Sequence, residues 1–190
     1  KERDYHMFSF VIPCYNEESM LVQCYQEISE VLTNNQLPYE LIFVNDGSSD
    51  RTLNILKELR QKDNNVSYLS FSRNFGKEAA MLAGLSYASG EAVITMDADL
   101  QHPPFLIPQM VQAYRDGYDQ VIAKRSRKGE GKRRSWLAKL YYRLMNYLVD
   151  VELTDGVGDF RLLSRRAVDA LLSLQEYTRF SKGLFSWIGF

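Results

Sequence analysis

Apolar, β-branched runs alternate with stretches of helical periodicity along this chain, and most of the runs stop on a short polar cluster. That alternation constrains the fold more than any other feature. Met7 to Cys14 (MFSFVIPC) reads as a strand ending at Pro13, and residues 18 to 35 place Met20, Leu21, Cys24, Tyr25, Ile28, Val31 and Leu32 on one helical face. Tyr39 to Asn45 is a second strand, stopping at Asp46-Gly47-Ser48-Ser49-Asp50. Ser49 or Asp50 is placed to cap the next helix, whose Leu53, Leu56 and Leu59 share a face. Val66 to Phe71, Ala92 to Met96 and Asp119 to Ala123 are further strands. Between them lie an alanine-rich helix, Lys77 to Ala88, and a helix opened by Pro103-Pro104 and running through Tyr114. This spacing predicts an α/β fold: an open, mostly parallel sheet flanked by helices.

A chain of 190 residues with a net charge of −1 suits a single domain over 1–190. No apolar run reaches the roughly 18 residues needed to cross a bilayer. Cys14 and Cys24 are the only cysteines and His6 and His102 the only histidines, which argues against a disulfide framework, a zinc cluster or a histidine-based triad. The chemistry must therefore rest on carboxylates, amides and arginines. The chain opens on Lys1 and closes on the apolar Gly183–Phe190, so both ends read as cut from a longer protein, the C-terminus especially.

In open α/β sheets, ligands bind beyond the carboxyl ends of the strands. Here those ends carry Tyr15-Asn16-Glu17, Asn45-Asp46, Ser72-Arg73-Asn74 and Asp97-Ala98-Asp99. Each alone could be an ordinary turn or helix cap. All four at one sheet edge are harder to explain that way. Asp97 and Asp99 repel each other unless a cation lies between them, and hard ions such as Mg²⁺ or Mn²⁺ favour oxygen ligands shared with substrate phosphates. Gln101 can add an amide oxygen. Neither GxGxxG nor GxxxxGK[ST] occurs, which argues against a dinucleotide oxidoreductase and a P-loop NTPase.

Five segments then carry a family resemblance: VIPCYNEE (Val11 to Glu18), FVNDGSSD (Phe43 to Asp50), SRNFGKEAA (Ser72 to Ala80), MDADLQHPP (Met96 to Pro104) and GVGDFRLLSRRA (Gly156 to Ala167). Together they resemble family 2 glycosyltransferases of the GT-A (Rossmann-like) fold, in the branch that transfers sugars onto polyprenyl phosphates, dolichol-phosphate mannose synthases included. The resemblance implies that Pro13, Tyr15 and Glu17 line a nucleotide-sugar site and that Asp46 contacts the base. It implies that Asp97 lies near the ribose and metal, that Asp99 holds the metal on the diphosphate, and that Gln101 completes the metal shell. Asp159 falls where the family places its acceptor-side carboxylate, and with Asp99 it is the candidate catalytic pair. Arg161 is a candidate for holding phosphate, as are Arg165 and Arg166, although Ser164-Arg-Arg-Ala reads equally as the capped start of the last helix.

The expected activity is inverting, metal-dependent transfer of a hexosyl or N-acetylhexosaminyl group from a nucleotide-diphospho-sugar, UDP-linked rather than GDP-linked, to a polyprenyl phosphate. Two alternatives stay open: a saccharide or polysaccharide acceptor, or a non-catalytic nucleotide-sugar-binding module. Lys124 to Arg143 holds nine Lys/Arg against Glu130 alone, and Trp136, Leu137, Leu140, Tyr141, Leu144, Met145 and Leu148 form an apolar helical stripe. Residues 124–150 are therefore expected to form a basic loop followed by an amphipathic, membrane-interfacial helix, with Arg125 or Arg127 closing on phosphate. A solvated loop before an ordinary core helix is the plainer alternative. The expected place is the cytoplasmic face of a membrane of the cell envelope, with the catalytic domain itself soluble. No nucleic-acid partner is expected, and a homo-oligomer stays open.

Overall fold

The computed structural model describes residues 7–124 and 157–173. Its six strands are β1 (Phe8–Cys14), β2 (Tyr39–Asn45), β3 (Val66–Ser70), β4 (Ala92–Thr95), β5 (Gln120–Lys124) and β6 (Val157–Ser164). The helices described are α1 (Leu21–Asn34), α2 (Thr52–Lys62), α3 (Lys77–Tyr87), α4 (Ile107–Arg115) and α5 (Arg165–Ser173). One sheet forms, in the order β3-β2-β1-β4-β6-β5. The β3–β2–β1–β4 pairs are parallel, and β6 runs antiparallel to both β4 and β5. The expected α/β fold with a mostly parallel sheet is the fold observed.

The sheet separates two apolar layers. Phe8, Phe10, Ile12, Phe43, Ile94 and Leu162 face α1, α2 and α4, whose Ile28, Leu56 and Met110 pack among them. Val11, Ile42, Val44, Val93 and Leu163 face α3 and α5. Period-2 alternation explains this, since neighbours along one strand go to opposite layers. On α1 the buried residues are Leu21, Cys24, Ile28 and Leu32, the helical spacing that the sequence shows.

Two elements differ from the sequence expectation. The segment after Pro103 begins as a 3₁₀ turn, Pro104–Leu106, before α4 starts at Ile107. More consequentially, β6 is a strand that the apolar pattern alone does not announce, because Gly158, Asp159 and Arg161 interrupt it. It is inserted between β4 and β5. Residues 125–156, which include most of the basic stretch, lie outside the described residues.

Candidate active site

The cleft begins where a ladder fails. The β1 carbonyl of Val11 accepts the Met96 N–H at 3.1 Å, and the β1–β4 register ends at Val11↔Thr95. Pro13 is the next β1 residue facing that side and has no N–H to continue the pairing. Meanwhile β1 stays paired to β2 as far as Cys14↔Asn45. The two strand ends part, and a cleft of about 300 Å³ opens, lined by Pro13, Cys14, Tyr15, Glu17, Asp46, Asn74, Gly76, Lys77, Asp97, Ala98 and Asp99. This is the topological switch point of the sheet, where strand order reverses about β1.

Polar side chains knit its rim. Asn16, at φ 56°, accepts the Ser49 N–H at 2.9 Å, and its own N–H donates to Ser48 Oγ at 3.0 Å. Glu17 N–H donates to Thr52 Oγ1 at 2.9 Å, and Glu18 Oε2 accepts the Arg51 N–H at 2.9 Å. The N-cap position of α2 is Arg51 and carries no side-chain cap, so neither Ser49 nor Asp50 takes it; Asp50, one residue earlier, accepts the Thr52 N–H at 2.9 Å. Asp46 is 3% exposed, and its two oxygens accept the N–H groups of Phe75 (2.7 Å) and Gly76 (2.9 Å). The carboxylate that resemblance assigns to the base thus lines the cleft and also anchors the loop leading into α3. Gly47 lets that loop come close: at φ 66°, a Cβ there would lie 2.2 Å from the Arg73 carbonyl carbon.

The antiparallel register of β6 brings the distant carboxylate in. Thr95 pairs with Arg161, so two residues further along Asp97 faces Asp159 across the same sheet edge. Thr95 Oγ1 donates to the Asp159 carbonyl at 2.5 Å and fixes that register. Lys77, the first residue of α3, reaches both acids: its Nζ lies 2.5 Å from Asp97 Oδ1 and 2.6 Å from Asp159 Oδ2. Burial works against the ammonium, but its bonds to Asp159 and Asp97 prevail and raise its pKa above the usual lysine value.

The opposite imbalance holds at Glu17. Burial first, then the charges of Asp99, Asp97 and Asp50, raise its pKa above the ordinary glutamate value. The cleft is therefore poised for positive charge. Among the described residues, no group of three or more His, Cys, Asp or Glu converges as a metal cage. Asp97 and Asp99 fit a hard divalent ion that takes its remaining oxygens from a bound diphosphate. Asp99 Oδ1 accepts the Gln101 N–H at 3.0 Å, which bends the loop through Leu100 at φ 55°. A leucine in that left-handed region costs about 1–2 kcal/mol, a strain held at the tip of the acidic loop. Gln101 itself is exposed and does not line the cleft. Cys14 does line it, and burial, then Cys24, Glu17 and Asp97, push its thiol well above the ordinary cysteine value.

The arginines end up elsewhere than expected for phosphate binding. Arg161 is 1% exposed and is not part of the cleft lining; burial lowers its pKa to about 10 against the favourable charges of Asp159 and Glu78. Arg165 donates to the Ala88 and Gly90 carbonyls ahead of β4, at the far edge of the sheet, and Arg166 pairs with Asp119. Ser164 Oγ accepts the Ala167 N–H at 3.3 Å. The plainer reading of Ser164-Arg-Arg-Ala, a capped helix start, is what forms. Arg125 and Arg127 lie outside the described residues. Lys77 is the residue that sequence reasoning missed. Its signal was there, a lysine directly after Gly76 at the end of a strand-to-helix loop, but its partner Asp159 lies 82 residues away.

Comparison with known proteins fits this geometry. The chain is 54% identical over 184 residues to CsbB of Bacillus subtilis (strain 168), which bears the name of a glycosyltransferase; the match covers 97% of this chain and 56% of that protein. It is 42% identical over 182 residues to the bactoprenol glucosyl transferase of Shigella phage SfV, covering 95% of this chain and 59% of that one. The chain thus spans more than half, but less than two thirds, of the length of these relatives. Among solved structures, glucosyl-3-phosphoglycerate synthase from Mycobacterium tuberculosis, in complex with Mn²⁺, UDP and phosphoglyceric acid, superposes with a TM-score of 0.59. That match is 25% identical and covers 85% of this chain and 57% of that one. The model of the family described as "Glycosyl transferase family 2" matches residues 9–172, nearly the whole cleft-bearing sheet included, and the chain belongs to that family.

Proposed function

We propose that this chain is the catalytic part of an inverting, metal-dependent glycosyltransferase. It moves a sugar from a nucleotide-diphospho-sugar, UDP-linked rather than GDP-linked, onto a polyprenyl phosphate. The observation that carries the reading is the pairing of Asp97 with Asp159 through one ammonium, which supports giving the first a donor-side and the second an acceptor-side role. The name of the phage relative supports a polyprenyl carrier, and the UDP and Mn²⁺ bound to the mycobacterial structure support the donor and metal class.

Pro13, Tyr15 and Glu17 form the wall that takes the nucleotide, with Tyr15 half-exposed and open to stacking. Asp97 and Asp99 would hold Mg²⁺ or Mn²⁺, which when bound stabilises the negative charge growing on the leaving diphosphate. Asp159 enters from the neighbouring strand, on the side from which an acceptor attacks the face of the sugar opposite the leaving group. A lipid phosphate, with a second pKa near 6, is already largely ionised at neutral pH, so Asp159 orients it rather than removing a proton.

Thermal shift with UDP, GDP and CMP, each with and without Mn²⁺, tests the donor half. At one hundred times Kd, linkage gives about 2.7 kcal/mol, roughly 5–10 °C for a domain of this size. A metal-dependent shift with UDP, abolished in Asp99→Ala, is the expected result; equal shifts with and without metal would sink the metal assignment. Transfer of radiolabelled sugar into an extractable lipid phosphate, and not into free saccharide, tests the acceptor half.

A further inference from the structure

Among the described residues that line the cleft, Lys77 is the cationic one, alongside the acids Glu17, Asp46, Asp97 and Asp99. Its side chain is two-fifths exposed, and its ammonium serves both Asp97 and Asp159. The chemistry proposed above brings two phosphate-bearing substrates into this acidic space. The donor diphosphate has Asp97, Asp99 and their metal. An acceptor phosphate approaching Asp159 meets a carboxylate, and like charges at that range repel if uncompensated.

Resting on that reading, we infer that Lys77 is the acceptor-phosphate-binding residue of the cleft: its ammonium keeps Asp159 and turns its other N–H groups to the phosphate of the lipid, leaving Asp97, which with Asp99 would hold the metal. The bridged arrangement is then the substrate-free state, in which the lysine keeps the donor-side and acceptor-side acids from repelling each other. The position supports this. Lys77 opens α3 directly after Gly76, whose N–H is pinned by Asp46, so the side chain starts from a fixed point beside both carboxylates.

Isothermal titration calorimetry of the UDP- and Mn²⁺-loaded protein with geranyl phosphate and with geraniol tests this without turnover. Wild type is expected to prefer the phosphate by at least about tenfold, the range for hydrogen bonds to charged groups. Lys77→Met is expected to lose that preference while its affinity for UDP with Mn²⁺ stays within about threefold. Lys77→Arg, which keeps the charge, is expected to retain most of it; melting curves check that each variant is folded. A phosphate preference undiminished in Lys77→Met would overturn the assignment of Lys77 and leave the proposed reaction standing. Weakened UDP affinity with the preference intact would assign the ammonium to the donor, also overturning it. No preference in wild type would overturn both the inference and the polyprenyl-phosphate reading.

Discussion

Glu17 shows at the scale of one residue what the cleft does to charge. Burial and the fields of Asp99, Asp97 and Asp50 disfavour its ionised form, so its pKa lies above the ordinary value of 4.5. A carboxyl that binds its proton more tightly folded than unfolded makes stability fall as pH rises through the interval between the two values. Glu17→Gln removes that penalty. The variant is expected to melt above wild type at pH 7.5 in the absence of ligand, and the gap should close as pH drops below about 4.5. Equal melting temperatures across that range would mean that the carboxyl is not strained by its neighbours. That Tyr15, Glu17, Asp46, Asp97 and Asp99 gather at one cleft was legible in the sequence because each follows a strand end, whereas Pro13, inside β1, is singled out only by the family resemblance. Arg161 shares the β6 face of Asp159, yet it is 1% exposed and does not line the cleft, and a motif gives no sign of such burial.

Between residues and the whole, α3 is the element on which the site depends, since it carries Lys77 against the sheet. Its close approach is made possible by Gly84, where a Cβ would fall 2.3 Å from Val11 Cγ1 and 3.2 Å from Val44 Cγ2. Replacing Gly84 by Ala brings two opposed effects. Higher helix propensity contributes about 1 kcal/mol, and overpacking a buried contact costs about 1–3 kcal/mol. Overpacking is expected to win, because the valines sit on the central strands β1 and β2 and have little room to move. Gly84→Ala should therefore lower the urea midpoint and, by lifting α3, weaken acceptor binding more than UDP binding; an unchanged or higher midpoint would show that the helix can shift freely. Elements of this kind were readable where apolar periodicity is clean, as in β1, β2 and α1. β6 was not, because the Gly158-Asp159-Phe160-Arg161 sequence spends its alternate positions on function and on a buried arginine. Its place in the sheet is a long-range fact, fixed by pairing with β4 across 60 and more residues.

Charge is divided unevenly over the whole molecule. The net is −1, yet Lys124 to Arg143 alone carries +8, which leaves −9 on the rest. An acidic cleft repels an anionic membrane, while a basic stretch is drawn to one, at about 1 kcal/mol per Lys or Arg near the surface. Among the described residues no helix is long and apolar enough to cross a bilayer. The Trp136 to Leu148 stripe adds apolar area to the same stretch, and apolar area does not screen with salt, whereas the charge term does. The two contributions can therefore be separated. Sedimentation with vesicles containing phosphatidylglycerol is expected at 0.1 M ionic strength, with much weaker binding to pure phosphatidylcholine. Raising salt to about 1 M, where the screening length is only about 3 Å, should remove most of the difference between the two lipids and leave the apolar part. Changing Lys132, Arg133 and Arg134 to Ser should mimic high salt. If neither lipid retains the protein, the stripe packs inside the fold, and the lipid phosphate must be delivered to the cleft by a part of the protein other than residues 124–150.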